Sequence, residues 1–376
     1  IIEDSFRNYD ASKLKINSKN SKLSEPITYT VQYNESCFKF AQRLAARNGE
    51  WMYYNGQQLV FGLDTQTEEI ELVLGRDLHD LNTSLLPTPQ NFNYFKNDYI
   101  TDAIHEKESA STTKEKKGYF KSVNNSSKDM YANPTTVWVN ISDDGQSKSR
   151  LDAQVEKQEQ ALQANQIKIT GTSDNPGLLL GASIKISGSS YIVTKISHSY
   201  SNIGEYENVF EANSSNLPVY PKTQINAFPM AHSQTAKVVE NNDPDGMGRV
   251  KVQFPWQKKD NLSTPWIRII TPHAGADKGF HFIPEIEEEV LVDFEGSNAE
   301  APYVMGSLYH GNHKPDSWKT DENDVKAIRT RSGHTIELND TDGEEKIQIY
   351  DNDGSIIIFD TKKKSLTINS KEDIEN

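Results

Sequence analysis

The sequence predicts a mainly β protein with some α-helix, and three observations lead to that prediction. Short runs of β-branched, aromatic or alternating residues, separated by Gly, Pro and Asn, fill much of the chain. Residues 242–310 form a dense series of turns and strands that is typical of a small closed barrel. A strand pattern then recurs about every ten residues near the C-terminus.

The first 62 residues predict a helix, a strand, a second helix and a hairpin. Residues 1–7 have a helical pattern from the first residue, so we expect a missing segment upstream. A strand over residues 28–33 precedes a helix that Asn34 can cap and that Asn48-Gly49 can end. Cys37 lies on the apolar face of that helix and is predicted to be core; as the single cysteine, it excludes an intramolecular disulfide. Asn55-Gly56 predicts the hairpin turn.

The middle of the chain alternates between polar and strand-like stretches. Residues 84–135 predict a long loop or a weak strand pair, with poor order over 108–130. Residues 147–164 predict a solvated helix with one apolar stripe. Four alternating strands follow, at residues 166–170, 183–186, 191–198 and 206–212.

The barrel series opens with a turn at Asp243-Pro244-Asp245-Gly246 and a strand over residues 249–254 that Pro255 ends. Further strands are predicted at residues 266–269, 280–283, 290–294 and 302–308. Five or six short strands of this kind predict an oligonucleotide/oligosaccharide-binding (OB) type barrel.

These blocks resemble the VgrG family, the spike proteins of type VI secretion, and the related hubs of contractile phage tails. The barrel resemblance rests on the DPDGxGRVKV and PxVxGSLYH blocks, and it departs at Glu287-Glu288-Glu289, where the family turns on glycine. The hub resemblance rests on Gln32, Tyr33, Glu35, Phe40, Arg43, Leu44 and Gly49, and on the strands after Gly181.

The resemblance implies tandem hub β-barrels with inserted helices, an OB-type barrel and the start of a trimeric β-prism or β-helix stalk. We therefore predict a hub over residues 1–230, with its N-terminal part missing, and an OB domain over residues 231–312. A linker over residues 313–328 and a stalk over residues 329–376 would follow.

The C-terminal repeat itself predicts association. Its strands carry an apolar stripe that one chain cannot bury, and an exposed stripe with free strand edges promotes aggregation. Burial of each isoleucine contributes about 1.5–3 kcal/mol, so three chains together exceed an association cost of about 4–15 kcal/mol. The predicted trimer core is Ile336, Leu338, Ile347, Ile349, Ile356, Ile358, Leu366 and Ile368.

Composition excludes some classes of protein. The net charge of −14 argues against nucleic acid as a partner, because phosphate binding needs a basic surface. The sequence has no apolar run of about 18 residues that would span a bilayer, and no signal peptide opens it. If the protein leaves the cell, we expect a route other than the general secretory one.

Motifs of catalysis and of cofactor binding are absent, so we predict a protein that is not an enzyme and takes no cofactor. The turns at residues 243–246 and 351–354 are similar to the start of a calcium loop but lack its final glutamate. His310 and His313 have a metal-like spacing without the further ligands of a zinc site, so they are weak metal candidates.

The predicted function is that of a structural homotrimeric spike and hub that punctures target membranes mechanically and carries effectors. The resemblance implies the tube protein ring, baseplate components, a tip-capping protein and effectors as partners. It also implies assembly in the bacterial cytoplasm and export by the injection apparatus. One alternative is the spike of an extracellular contractile particle or prophage tail. Another is a carbohydrate- or nucleic-acid-binding OB module that uses aromatics such as Trp256 and Trp266; an enzyme would need a catalytic domain over residues 84–135 or outside this sequence.

Overall fold

In the computed structural model the chain is mainly β, as the sequence predicts. The structure describes residues 1–19, 21, 27–63, 68–109, 119–141, 143–202, 204–217 and 219–373. Among these residues, no helix combines the length and apolarity that crossing a membrane requires. The contacts divide the chain after Gly306 into two units. The predicted boundaries at residues 230, 312 and 328 stay predictions.

The described part of the first unit contains the α-helices α1 (Ile2–Ser5), α2 (Cys37–Arg47), α3 (Tyr119–Met130) and α4 (Ser147–Ala164). Helix α2 begins after Ser36, whose hydroxyl accepts a hydrogen bond from the Lys39 N–H (3.2 Å). The predicted cap, Asn34, instead adopts a left-handed turn conformation (φ 51°). Gly49 ends the helix with φ 69°, as predicted. Cys37 is half-buried and packs against a small apolar cluster.

The hub region of residues 1–230 contains these strands: β1 (Ile16–Asn17), β2 (Met52–Tyr54), β3 (Leu59–Phe61), β4 (Ile70–Leu72), β5 (Leu78–Leu85), β6 (Phe92–Asp98), β7 (Ala103–Glu108), β8 (Thr135–Trp138), β9 (Ile167–Ser173), β10 (Ser183–Ile186), β11 (Ser189–Tyr200) and β12 (Tyr206–Ser214). The largest sheet has the order β4-β10-β11-β12-β9-β5, and its inner face is an aliphatic core around Phe210. Two three-stranded sheets, β1-β3-β2 and β7-β6-β8, accompany it. Helix α4 packs Leu151 and Val155 against Tyr94 of β6.

Two hub predictions are wrong. Residues 28–33 form no strand. The segment is attached through side chains instead, because Thr30 and Tyr33 bond to the barrel and Thr28 bonds to Asp144. Helix α3 occupies residues 119–130, where a long loop or a weak strand pair, with poor order over 108–130, is predicted; residues 110–118 lie outside the described part. The strand-pair alternative is confirmed at β6 and β7. The helical pattern was weak in sequence because its buried positions are Val123, Asn124 and Ser127, of which one is apolar.

The barrel contains β13 (Gln234–Glu240), β14 (Lys251–Gln253), β15 (Ala274–Gly275), β16 (Lys278–Gly279), β17 (Glu289–Phe294) and β18 (Pro302–Ser307). Four of these strands form a sheet of order β14-β13-β17-β18. Residues 266–270 close it, because Ile267 bridges to Val250 and Ile269 bridges to Val304. Valines and phenylalanines from every wall fill the interior, including Val238, Val252, Phe254, Val292 and Phe294.

The barrel series is confirmed at β14, β17 and β18 and is corrected elsewhere. Residues 280–283 form no strand, and residues 266–269 contribute single bridges. Strand β13 precedes the predicted series along the chain. In the sheet it lies between β14 and β17 and pairs with both. Its sequence, QTAKVVE, alternates too briefly to be recognised alone.

The second unit is an antiparallel meander of β19 (Val325–Arg329), β20 (Thr335–Asn339), β21 (Lys346–Tyr350), β22 (Ile356–Asp360) and β23 (Ser365–Asn369). The four predicted stalk strands are confirmed as strands. Strand β19 is an addition that begins within the predicted linker of residues 313–328, ends at Arg329 and pairs with β20. Asp351 organises one turn by accepting hydrogen bonds from the N–H groups of residues 353, 354 and 355 (2.9–3.0 Å).

Candidate assembly face and hub–barrel clamp

The meander places its large apolar side chains on one face. Residues directly opposite each other in an antiparallel pair point to the same side of the sheet. The register links Ile336 to Ile349, Ile349 to Ile357, and Ile357 to Ile368. We call this surface the apolar stalk face; its members are Ile328, Ile336, Leu338, Ile347, Ile349, Ile357, Phe359, Leu366 and Ile368.

On β22 the register places the predicted trimer-core residues on the other side of the sheet. Ile356 pairs with Tyr350, and Ile358 pairs with Gln348, so both isoleucines point away from the apolar stalk face, where Ile357 and Phe359 lie. The sequence does not choose between the two sides, because Ile356-Ile357-Ile358-Phe359 is apolar at four consecutive positions and has no alternation. The trimer core itself stays a prediction.

The apolar stalk face is open to solvent in the single chain. Eight of its members are between 41% and 57% exposed, and Ile357 is partly buried. A contiguous apolar surface of this kind is a feature of interaction sites. Within the part of the chain that the structure describes, the buried apolar clusters lie in residues 1–306. In a single copy, the meander leaves its apolar stalk face largely exposed to solvent.

A second cluster joins the hub region to the barrel. Arg43 and Arg47 lie one turn apart on α2, and both bond to the carboxylate of Glu300, on the barrel loop before β18. Arg43 Nη1 lies 3.2 Å from Glu300 Oε1, and Arg43 Nη2 lies 2.8 Å from Glu35 Oε1. The Thr30 hydroxyl donates to Glu300 Oε1 at 2.6 Å. We call these five residues the hub–barrel clamp.

The hub–barrel clamp is buried and balanced in charge. Its two arginines face two glutamates, and the Glu300 side chain is only 2% exposed. Burial by itself raises the pKa of Glu300, but Arg47, Thr30 and Arg43 together bring that pKa below its ordinary value. Glu300 is therefore held as a carboxylate.

The turn that opens the barrel binds an arginine rather than a cation from solution. Asp243 accepts hydrogen bonds from the backbone N–H groups of residues 245, 247 and 249, and the Arg249 side chain donates to both of its carboxylate oxygens (2.7 and 2.8 Å). Arg249 holds the pKa of Asp243 well below its usual range. Asp245 also reaches Arg249, at 2.5 Å. The Arg249 guanidinium is therefore bound by the carboxylates of both Asp243 and Asp245.

The side chains of the two barrel tryptophans, Trp256 and Trp266, both contact other residues of the same chain. Trp256 stacks on Phe254 with ring centroids 5.1 Å apart, and its Nε1 donates to Gln234 (3.1 Å). Gln234 in turn donates to the hydroxyl of Tyr33 in the hub region (3.0 Å). The Lys251 ammonium lies 5.0 Å from the centre of the Trp266 ring.

His310 and His313 form a tight turn with ring centroids 4.4 Å apart. Their backbones bond to each other in both directions. Within the described residues, no group of three or more His, Cys, Asp or Glu side chains is arranged to hold a metal ion. The metal hypothesis for this pair stays a weak prediction.

The sequence pattern singled out two residues of the hub–barrel clamp, but it did not predict that they contact the barrel. Glu35 and Arg43 belong to the pattern shared with the hub domain, whereas Glu300 had no signal. Arg43 and Glu300 are 257 positions apart, so only the tertiary fold brings them together. Glu300 lies between two alanines in a loop, and a glutamate in that setting is ordinarily predicted to be an exposed surface residue.

Comparison with known proteins agrees with this architecture. The family model of the phage tail baseplate hub (GPD) matches residues 1–203. The family model of the type VI secretion system/phage-baseplate injector OB domain matches residues 234–309. A hub joined to an injector OB barrel is the domain pair of a structural baseplate component.

Relatives include VgrG spike proteins. The type VI secretion system spike protein VgrG2a of Pseudomonas aeruginosa is 39% identical over 90 residues, which cover 23% of this chain and 11% of the relative. VgrG4b of the same organism is 33% identical over 134 residues, covering 34% and 16%. The actin cross-linking toxin VgrG1 of Vibrio cholerae is 29% identical over 138 residues, covering 35% and 12%. The matched part is thus under a fifth of each relative's length.

Among solved structures, an E. coli component of the type VI secretion system, similar to T4 tail proteins, aligns with a TM-score of 0.49. It is 18% identical, and the alignment covers 82% of this chain and 70% of that one. Because the hub family model matches more than half of its residues, the chain belongs to the phage tail baseplate hub family. It also carries the injector OB domain of type VI secretion systems and phage baseplates, and part of it is similar to VgrG spike proteins.

Proposed function

We propose that this chain is a non-enzymatic spike and hub of a contractile injection apparatus and that it acts as a homotrimer. The observation that supports the proposal most directly is the apolar stalk face, which belongs to a VgrG-type chain and is half exposed in one copy. Burial of an exposed half of each side chain would contribute about 1 kcal/mol. Summed over nine residues in each of three chains, this is of the same size as the cost of the two association steps that form a trimer, which is about 4–15 kcal/mol for each step.

The proposed mechanism is mechanical. Sheath contraction would drive the hub forward, and a stalk whose strand edges are paired between chains would transmit the force without unfolding. The hub would contact the tube protein ring and baseplate components, and the stalk would lead to a tip-capping protein and effectors. The apparatus would export the assembled spike from the bacterial cytoplasm through the target membrane. No step requires catalysis, a cofactor or nucleic acid.

The experiment is a mass measurement by light scattering coupled to size exclusion. We expect the unaltered chain to have three times its 42.4 kDa mass. A variant with Ile336→Asp and Ile347→Asp should have a lower mass, because two carboxylates per chain would be buried in the assembly face. A monomer for the unaltered chain at micromolar concentration would contradict the trimeric spike.

A further inference from the structure

The connection between hub and barrel is made by more than the covalent chain near residue 230. The hub–barrel clamp is one contact. A second joins Tyr33 to Gln234 and Trp256, with the Tyr33 and Trp256 rings 6.3 Å apart. A third joins Asn140 to the barrel loop before β18, because Asn140 donates to the Glu295 carbonyl and accepts from the Asn298 side chain (3.0 Å).

A further contact and two backbone hydrogen bonds complete the joint. The Arg268 guanidinium lies 4.2 Å from the Tyr99 ring centre. The N–H of Ala231 donates to the Ser297 carbonyl, and the N–H of Ala299 donates to the Pro229 carbonyl, both at 2.9 Å. The barrel loop of residues 295–301 is therefore held by α2, by residue 140 and by the connecting segment itself. Any rotation about the connection would break these contacts together.

The buried charges of this joint restrict the orientation of the hub relative to the barrel. Replacing a buried ion pair by apolar residues often leaves stability unchanged, whereas separating its partners leaves uncompensated charges in a dry site. In the hub–barrel clamp, the four charged side chains are between 2% and 12% exposed. In the observed orientation of α2 against the barrel loop, each of the four charges has an oppositely charged partner. A displaced orientation would leave at least Glu300 buried without a counter-charge.

We propose that the hub–barrel clamp is a rigid coupling that fixes the barrel on the hub, so that thrust applied to the hub reaches the barrel without rotation about the connection. Glu300 is its central positioning residue, because Arg43, Arg47 and Thr30 all converge on its carboxylate. This proposal rests on the proposed function only for the source of the thrust. The rigidity of the joint arises from contacts within one chain and can be tested without the apparatus.

The test is hydrogen–deuterium exchange on the full chain, comparing Glu300→Gln with the unaltered protein. Glu300→Gln keeps the shape of the side chain and leaves two buried guanidiniums without their shared counter-charge. We expect amides at residues 229–231 and 295–301 to exchange at least about tenfold faster, a sign of local opening. Amides of β13 and β17 should keep their rates, because the Glu300 carboxylate bonds to Thr30, Arg43 and Arg47, which lie outside these two strands.

Glu240→Gln is the matched control. Glu240 pairs with Lys251 on the barrel, and its side chain is 52% exposed, so the same chemical change there should leave the joint unaltered. Wild-type exchange at residues 295–301 in Glu300→Gln would overturn the proposal. Equal acceleration in β13 and β17 would also overturn it, because the effect would then be general destabilisation.

A second variant covers the case in which Glu300→Gln does not fold. Replacing Glu35, Arg43, Arg47 and Glu300 together by Gln, Met, Met and Leu removes all four charges of the hub–barrel clamp, and with them the geometric specificity, so that no buried charge is left without its partner. Faster exchange confined to residues 229–231 and 295–301 supports the coupling, and unchanged exchange there overturns it. The mass measurement tests the trimer separately, so failure of the spike and failure of the coupling are distinguishable.

Discussion

Ile357 lies directly opposite Ile349 in the register of the stalk meander, which places both on the apolar stalk face. Their neighbours on β22, Ile356 and Ile358, point to the other side. We therefore expect Ile349→Asp to reduce the mass of the assembly in light scattering, because it buries a charge between chains. Ile358→Asp is the control and should leave the mass unchanged. Equal loss for both variants would show that the two faces are buried alike.

The barrel's opening turn depends on one buried carboxylate. Asp243→Ala leaves the Arg249 side chain, 5% exposed, without its bidentate partner. We expect a loss of about 3–5 kcal/mol in the free energy of unfolding, measured by urea titration. Asp245→Ala should lose about 0–1 kcal/mol, because Asp245 is 59% exposed. Similar losses for the two variants would contradict the assignment of Asp243 as the organising residue.

Glu287 occupies a position that favours glycine. It is the third residue of a turn closed by the Glu288 N–H to the Glu285 carbonyl (3.2 Å), and its φ is 73°. A residue with a Cβ costs about 1–2 kcal/mol in this left-handed conformation. We expect Glu287→Gly to be more stable than Glu287→Ala by about 1 kcal/mol in urea unfolding.

The order should reverse at Glu289, which lies in β17. There, Glu289→Ala should be more stable than Glu289→Gly by about 0.5–1 kcal/mol, because glycine loses more conformational freedom in a strand. If the glycine variant is less stable than the alanine variant at both positions, the turn at Glu287 tolerates a side chain without strain.

The hub–barrel clamp predicts a pH dependence of stability. The folded pKa of Glu300 lies below its ordinary value of 4.5, so its contribution is fully present above pH 4.5 and is lost as pH falls through the lowered folded value. At pH 7 we expect the joint at residues 229–231 and 295–301 to exchange at least about tenfold faster in Glu300→Gln than in the unaltered chain, because losing the shared carboxylate opens the joint locally. Hydrogen exchange of the two proteins, compared at matched and descending pH, should show this gap in exchange rate closing below pH 4.5. A gap that is constant with pH would mean that the Glu300 charge is not its source.

The sequence by itself determined the elements that local periodicity encodes. Alternation over two residues specified β9 to β12 and the stalk strands β20, β21 and β23. An apolar run between turns specified β22, and a 3.6-residue stripe specified α4. The turn blocks of the barrel, together with the hub pattern around Arg43, carried the family resemblance. These signals are local because side chains alternate on a strand or repeat on a helix without reference to the remainder of the chain.

The tertiary structure decided what local pattern cannot encode. The pairing register placed Ile357 rather than Ile356 on the apolar stalk face, since four consecutive apolar residues fit either face. Packing against the barrel converted the predicted strand of residues 28–33 into a segment bonded through its side chains. The meeting of Arg43, Arg47 and Glu300 spans more than 250 positions, and a contact of that separation exists only once hub and barrel have folded against each other.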